Sequence, residues 1–236
     1  DVYRYSIDLA VARAKEARDL GIKAIMIFPV IDEKLKTANG KEAYNKANLT
    51  CRAISEIKSQ VPEIMIIADV ALDPYTNHGH DGIINKKGQI DNDATIEILC
   101  KQALVQAKAG TDANAPSDMM DGRIGEIRRF LDKNDFSDNL LISYSAKYAS
   151  SLYGPFRNAL NSLGAKKLEN APLNKKTYQM DFCNSNEALN EIALDIKEGA
   201  DMIIIKPATF YLDIVSKAKS NFNIPIISYQ VSGEYA

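Results

Sequence analysis

Three amphipathic helical segments, each ending at a glycine and followed by a short strand-like segment, constrain the fold most strongly. Apolar residues at helical spacing precede Gly21, Gly110 and Gly199. With the other apolar runs, the sequence predicts six strands, at residues 23–30, 63–70, 113–117, 139–145, 202–206 and 224–230. Apolar strands that alternate with amphipathic helices indicate a parallel sheet covered by helices on its outer face.

The way the strands end distinguishes between two parallel architectures. An open doubly wound sheet accommodates six strands, but no G-x-G-x-x-G follows any of them. Polar side chains instead follow nearly every strand, as the active-site face of a barrel requires. The 236 residues also fit one barrel of about 250 residues. The sequence therefore favours an α/β fold, a single (β/α)8 TIM barrel over 1–236, and we expect its first and last strands to lie outside this sequence.

Composition argues against several classes of protein. Twenty-nine Lys and Arg against 31 Asp and Glu give a net charge of −2, so no basic excess indicates a nucleic-acid or membrane partner. No apolar run reaches the roughly 18 residues that a membrane span needs. Cys51, Cys100 and Cys183 are odd in number and widely spaced. They predict a reducing, cytoplasmic location and neither a disulfide framework nor a cysteine-ligated zinc.

Two lysines follow apolar strands, where lysine is unusual. Lys147 and Lys206 would project into one barrel mouth from neighbouring strands. Each ammonium would then lower the pKa of the other, and partial burial would lower it further. A neutral amine attacks a ketone to form a Schiff base. The alternative is that both lysines simply reach solvent at the strand ends.

Residues 148–185 form a long connection that we interpret as an aromatic lid. Arg157, Lys175 and Gln179 would form a clamp for a carboxylate in this lid, beside Tyr153 and Phe156. The alternative is an ordinary solvated basic loop.

The two histidines offer a competing kind of site. His78 and His80 lie in a loop with Asp73 and Asp81, a set that could bind zinc or another divalent ion. A metal-dependent barrel hydrolase is therefore a second hypothesis. By contrast, the helical pattern places Glu191 on a solvated face, opposite Leu189, Ile192, Ala193 and Ile196.

Six motifs in order give the chain a family resemblance: ADVALDPYTNHGHDG, APSDMMDGRIGEIR, SYSAKYASSLYGPFR, KTYQMDF, GADMIIIKP with YLDIV, and YQVSGEYA. Together they resemble porphobilinogen synthase, or delta-aminolevulinic acid dehydratase, over essentially all residues. The resemblance implies a lyase that condenses two 5-aminolevulinate molecules to porphobilinogen with loss of two waters, in tetrapyrrole (haem) biosynthesis. A catalytically silent barrel is the third hypothesis, and the two lysines and the clamp argue against it.

The resemblance also implies roles for individual residues. Lys206 matches the lysine that forms a Schiff base with one substrate, and Lys147 matches the second essential lysine. The positions that match or line the substrate site are Arg157, Lys175, Gln179, Ser232, Tyr153, Phe156, Asp69 and Ser117.

Departures from the family pattern concern metals and the turn after Lys206. Ala71, Asp73 and Asp81 stand where zinc-dependent members carry cysteines, and oxygen ligands suit Mg²⁺ better than zinc. The sequence thus resembles the magnesium-responsive branch, in which Glu191 matches a carboxylate that holds an allosteric Mg²⁺. KPATFYLD replaces the usual KPGMPYLD, so Ala208, Thr209 and Phe210 are unusual here.

The resemblance also implies an assembly. Family members form an octamer, in which an N-terminal arm wraps a neighbouring subunit. We expect this arm, the first strand, the eighth strand and a carboxylate-binding tyrosine to lie outside residues 1–236.

Overall fold

A parallel sheet of six strands forms the centre of the structure, a computed structural model that describes residues 3–160 and 174–235. The strands are β1 (Ala24–Ile27), β2 (Met65–Val70), β3 (Ile83–Ile84), β4 (Ile90–Asp91), β5 (Ala113–Pro116), β6 (Leu140–Lys147), β7 (Met202–Lys206) and β8 (Ile226–Ser228). The main sheet has the order β1-β2-β5-β6-β7-β8, and every neighbouring pair is parallel. All six predicted strands are confirmed, and β3 and β4 form a small antiparallel hairpin.

Helices connect the strands, as the glycine-terminated pattern predicts. They are α1 (Ile7–Asp19), α2 (Leu49–Gln60), α3 (Asn92–Ala109), α4 (Arg123–Lys133), α5 (Gly154–Ala159), α6 (Ser185–Glu198), α7 (Leu212–Asn221) and α8 (Ser232–Tyr235). Gly110 and Gly199 end α3 and α6 with φ of 101° and 107°, a left-handed conformation that glycine adopts without strain. Within the described ranges, none of the helices combines the length and the apolar character that crossing a bilayer requires.

The two faces of the sheet bury different side chains. Ile203 and Ile205 of β7 pack against α6 and α7 on the outer face, whereas Ile204 packs inside with Ile142 of β6. The sheet also curls, because the Phe28 and Tyr229 rings, which follow the two edge strands β1 and β8, lie only 6.4 Å apart. Helices outside and side chains inside a curled parallel sheet are the arrangement of a barrel.

Strand β6 differs from its prediction in one respect. The apolar pattern ends the strand at residue 145, but β6 continues to Lys147. Its pairing with β7 shifts between Ser143 and Ala146, where β6 contains one more residue than β7. Such a bulge interrupts the regular alternation of side chains, which the sequence pattern alone does not reveal.

Candidate active site

A pocket opens at the carboxyl ends of β2, β5, β6 and β7, where a barrel places its active site. Nine of the predicted catalytic and substrate-binding residues line it: Asp69, Ser117, Lys147, Tyr153, Phe156, Arg157, Lys175, Gln179 and Lys206. Phe28, Asp73, Asp81 and Leu160 complete the lining. The structure thus brings together residues that lie up to 178 positions apart in the chain.

Lys147 and Lys206 are direct neighbours in the sheet. They are register partners at the ends of β6 and β7, and only 6% and 4% of their surfaces are exposed. The alternative that both lysines reach solvent is therefore wrong. Their predicted position in one mouth, on neighbouring strands, is confirmed.

The amine of Lys206 lies in an aromatic enclosure. Its Nζ is 4.0 Å from the ring centroid of Tyr229 and 4.7 Å from that of Phe156. The rings of Tyr153 and Tyr144 follow at 5.3 and 5.5 Å. Burial among these rings, followed by the charge of Lys147, lowers the pKa of Lys206 to about 7. A substantial fraction of Lys206 is therefore neutral and nucleophilic near neutral pH.

Lys147 contacts oxygen atoms as well as one ring, that of Tyr144, whose centroid lies 5.8 Å from its Nζ. Its Nζ donates a hydrogen bond to the backbone carbonyl of Ser117 and lies 3.7 Å from Oδ1 of Asp81. These contacts fix the second amine at the pocket wall, close to the first.

Asp69 is the carboxyl group of the pocket whose raised pKa suits it to accept a proton. Burial, and then the charge of Asp73, raise the pKa of Asp69 to about 7. Its Oδ1 has no hydrogen-bond partner among the described residues. A buried carboxyl group that titrates near neutral pH suits general acid–base chemistry.

The ammonium group of Lys175 contacts two carboxylates of the protein itself. Its Nζ lies 2.6 Å from Oδ2 of Asp81 and 3.2 Å from Oδ2 of Asp73. Tyr178 Oη also donates to Asp81 Oδ2, at 2.8 Å. Although burial opposes ionisation, Lys175 and Lys147 together lower the pKa of Asp81 below its ordinary value. Asp73 and Asp81 thus have an ammonium partner, and their predicted role as ion ligands stays a prediction.

The other two clamp residues are Arg157 and Gln179. They lie on either side of residues 161–173 of the lid, which are outside the described residues. The Arg157 guanidinium carbon lies 5.8 Å from the Tyr153 ring centroid. Gln179 is buried, and its Oε1 has no hydrogen-bond partner in the described ranges. Both Arg157 and Gln179 line the pocket. Binding of a substrate carboxylate by these residues stays a prediction.

Ser232 lies apart from the other predicted substrate residues. It begins α8 and lines a groove of about 830 Å³ between the two edges of the sheet, together with Met26, Phe156 and Tyr229. Ser232 does not line the lysine pocket, and its predicted contact with a substrate carboxylate stays a prediction.

Gly233 permits a close approach between α8 and the start of the lid. A Cβ atom there would lie 2.7 Å from the backbone oxygen of Leu152, whereas one at Gly154 would meet nothing within 4 Å. We expect Gly233→Ala to displace the segment that carries Tyr153 and to destabilise the fold by about 1–3 kcal/mol. Gly154→Ala is the matched control. Amide exchange over residues 148–160, with thermal unfolding, measures both effects; equal behaviour of the two variants would contradict this account.

The histidines do not converge on a metal site. His78 Nε2 lies 3.1 Å from the carbonyl of Ala38, and His78 Nδ1 accepts from the His80 amide at 3.2 Å. Both ring nitrogens of His78 are therefore used, and burial lowers its pKa to about 4. His80 Nδ1 contacts Tyr178 Oη at 3.1 Å. No group of three potential ligands occurs within residues 3–160 and 174–235, so the structure does not favour the hydrolase hypothesis.

Glu191 is less exposed than the helical pattern predicts. It is half-buried on α6, and Ala193, placed on the apolar face by that pattern, is exposed. Burial, and then the charge of Asp195, raise the pKa of Glu191, while Arg123 opposes this. The fully solvated position predicted for Glu191 is therefore wrong. It lies beside a buried charged network that sequence spacing could not reveal.

Several residues that contact the pocket side chains Lys206 and Asp81 are missing from the sequence-based prediction. Tyr144 and Tyr229 lie within the apolar runs ISYS and ISYQ, and this pattern alone predicts that they are core residues. Their position near a strand's carboxyl end was the available signal, because alternate side chains there face the barrel interior. Tyr178 offered no comparable signal, since its partner Asp81 lies 97 positions away.

Comparison with known proteins identifies the family to which this pocket belongs. The delta-aminolevulinic acid dehydratase family profile matches residues 1–236. A delta-aminolevulinic acid dehydratase from Bradyrhizobium diazoefficiens is 52% identical over 235 residues, which cover 100% of this chain and 65% of the relative. The chloroplastic protein of Glycine max is 49% identical, over 96% of this chain and 53% of the relative. The chain thus spans about half to two-thirds of the length of these curated relatives.

A solved structure shows the same fold. The delta-aminolevulinic acid dehydratase (porphobilinogen synthase) of Toxoplasma gondii ME49, in complex with the reaction product porphobilinogen, superposes with a TM-score of 0.94 at 47% identity. The match covers 98% of this chain and 65% of that one. The prediction of a (β/α)8 barrel is confirmed, and six of its strands lie in the part of this chain that the structure describes. The chain belongs to the delta-aminolevulinic acid dehydratase family.

Proposed function

We propose that the protein is a porphobilinogen synthase, a lyase that condenses two molecules of 5-aminolevulinate to porphobilinogen with loss of two waters. The observation that carries the proposal is the register pairing of two buried lysines, one of them with a pKa near 7. Such a pair provides a neutral amine for attack on a ketone and a second amine beside it. The family of the chain and the product-bound relative support the same activity.

The contacts of the pocket residues indicate a separate role for each of them in the reaction. Lys206 attacks the ketone carbon of one substrate, and loss of water gives the first Schiff base. Lys147, fixed by the Ser117 carbonyl, engages the ketone of the other substrate. Asp69 can take up a proton, because its pKa lies near 7. Tyr229, Phe156 and Tyr153 surround the Lys206 amine and exclude water, which would otherwise hydrolyse the Schiff base.

A colour reaction tests the activity directly. The purified protein is incubated with 5-aminolevulinate, and the pyrrole product is measured with p-dimethylaminobenzaldehyde. The proposal expects porphobilinogen to accumulate with time and enzyme concentration. A folded protein that forms no pyrrole under these conditions would refute it.

We also propose an allosteric Mg²⁺ near Glu191. Carboxylate oxygens are the donors that Mg²⁺ prefers, and Asp195 and Asp121 add negative charge around Glu191. Because no three-ligand group occurs among the described residues, most of the coordination would come from water. The ion would supply stability to this region rather than chemistry at the lysines.

The magnesium proposal predicts that Mg²⁺ raises activity severalfold and that Glu191→Gln abolishes this response without abolishing basal turnover. Asp213→Asn, an exposed carboxylate on α7, is the control and should retain the response. Titration of activity with Mg²⁺ in a chelator-treated sample measures both variants. A wild-type enzyme that ignores Mg²⁺ but loses activity on zinc removal would contradict the proposal.

Assembly and location remain proposals as well. We propose a homo-oligomer, as in the octamer that the family resemblance implies, and exposed Phe182 and Phe210 are typical of contact surfaces. The free Cys51, Cys100 and Cys183 support a reducing, cytoplasmic location.

A further inference from the structure

The direction in which Lys147 points depends on the bulge in β6. In a regular strand, residues two apart face the same side. Ile142 and Tyr144 face the barrel interior, so regular alternation would also turn Ala146 inward and Lys147 outward. Instead Ala146 packs with the outer cluster against α6 and α7, and Lys147 lines the interior pocket.

The extra residue between Ser143 and Ala146 causes this reversal. Ser143 pairs with Ile203 and Ala146 with Ile205, so β6 advances three residues while β7 advances two. A shift of one residue exchanges the faces of all following side chains. Without the bulge, Lys147 would face the helices, and it would not stand beside Lys206.

One buried side chain binds the backbone within the bulge. Arg123 of α4 is 2% exposed, and its Nη2 donates to the carbonyl of Tyr144 at 3.1 Å and to Ser143 Oγ at 3.0 Å. Its Nη1 donates to the carbonyl of Met120 at 3.2 Å. Ser143 Oγ in turn donates to Asp195 Oδ2 at 2.6 Å.

The charge of Arg123 is balanced by two buried carboxylates. Asp195 Oδ1 lies 3.5 Å from Nη1, and Asp118 Oδ2 lies 3.6 Å from Nε. Asp118 directly follows Ser117, whose carbonyl accepts from Lys147. The guanidinium is thus fixed to α6 and to the end of β5, and from there it reaches the bulge.

We propose that Arg123 is a positioning residue, which holds the β6 bulge and thereby turns Lys147 inward beside Lys206. The proposal rests on the proposed function for its effect on turnover, but the geometry of β6 tests it separately. Arg123 touches neither lysine amine in the structure and acts through the backbone of Tyr144. A planar guanidinium reaches several acceptors at once, which a lysine ammonium does not.

The test compares Arg123→Met with Arg123→Lys and with the control Arg129→Met, whose side chain on the same helix is 68% exposed. The crystal structure of Arg123→Met should show β6 and β7 paired without the extra residue, or Lys147 directed away from Lys206. Turnover of the folded variant should fall about 100-fold, with a smaller loss for Arg123→Lys and none for Arg129→Met. Borohydride trapping of 5-aminolevulinate at Lys206, measured at alkaline pH, where the loss of the neighbouring Lys147 charge no longer limits it, should fall much less than turnover, because Lys206 itself stays in place.

Outcomes against the proposal are equally definite. An Arg123→Met structure with an unchanged bulge and Lys147 still beside Lys206 would overturn it. So would equal losses of trapping and turnover in proportion to the folded fraction, since these indicate a general loss of stability. If Arg123→Met does not fold, Arg123→Lys and Ser143→Ala are judged by the same criteria. A wild-type protein without synthase activity refutes the proposed function only, since the crystallographic comparison still decides the role of Arg123.

Discussion

Replacement of Lys206 by Ala should abolish porphobilinogen formation, with a loss in kcat of roughly 10³-fold or more. The reason is that Lys206 is the buried amine whose pKa lies near 7, and its Nζ lies against the rings of Tyr229 and Phe156. Lys206→Arg should be equally inactive, because a guanidinium keeps the charge but does not deprotonate in proteins. Steady-state turnover with 5-aminolevulinate measures both.

The control for this prediction is Lys219→Ala, an exposed lysine on α7. It should turn over at the wild-type rate. If Lys206→Ala kept more than a tenth of wild-type kcat while folded, the attack by this amine would not be the central step of the reaction.

Replacement of Lys147 by Met should have the second largest effect. It removes the amine that engages the other substrate, so turnover should fall about 10²–10³-fold. It also removes the positive charge that helps to lower the pKa of Lys206 from 10.5 to about 7. Because a neighbouring positive charge disfavours the ammonium form, its removal raises the pKa of Lys206 toward its ordinary value. The carboxylate of Asp81, which loses one of its two ammonium contacts, acts in the same direction.

The pH dependence of Schiff-base formation measures this shift. In the wild type, reductive trapping at Lys206 should rise with pH and reach half its maximum near pH 7. In Lys147→Met the midpoint should move to higher pH, so that trapping at pH 7 falls and recovers at alkaline pH. An unchanged midpoint would show that Lys147 does not set the ionisation of Lys206.

The sequence was sufficient to predict the sheet and the lysine pair, for physical reasons that are easy to state. Most of the six strands are short apolar runs, and the central strands β2, β5, β6 and β7 are almost wholly buried, as strands inside a parallel sheet are. Lys147 and Lys206 stand out because each follows such a run, and strands paired in parallel bring their carboxyl ends together. Local pattern and topology were enough to place both lysines at adjoining strand ends, but not to orient Lys147.

The charged contacts could not be predicted in the same way. Lys175 and Asp73 are 102 positions apart, and nothing in local spacing indicates that the lid lysine contacts this carboxylate. The half-buried position of Glu191 depends on Asp195 and Arg123, which come from different elements. Pairing of distant charges follows from the closed tertiary structure and not from helical or strand periodicity.

The bulge shows most clearly where sequence pattern fails. The run LLISYSAK reads as regular alternation, and regular alternation from Tyr144 would place Lys147 on the helical face. One extra residue reverses this outcome, and its stabilisation by Arg123 requires a side chain about 20 positions earlier in the chain. An apolar pattern identifies a strand, but it does not determine the register of its last residues.

Reductive trapping of the substrate is the most direct test of the central claim that Lys206 forms a Schiff base. The protein is mixed with 5-aminolevulinate at neutral pH, reduced with borohydride, digested and analysed by mass spectrometry. We predict that the reduced adduct lies on Lys206 and is absent from Lys206→Ala at that position. A folded protein that carries no adduct, or carries it only on lysines outside the pocket, would contradict the account.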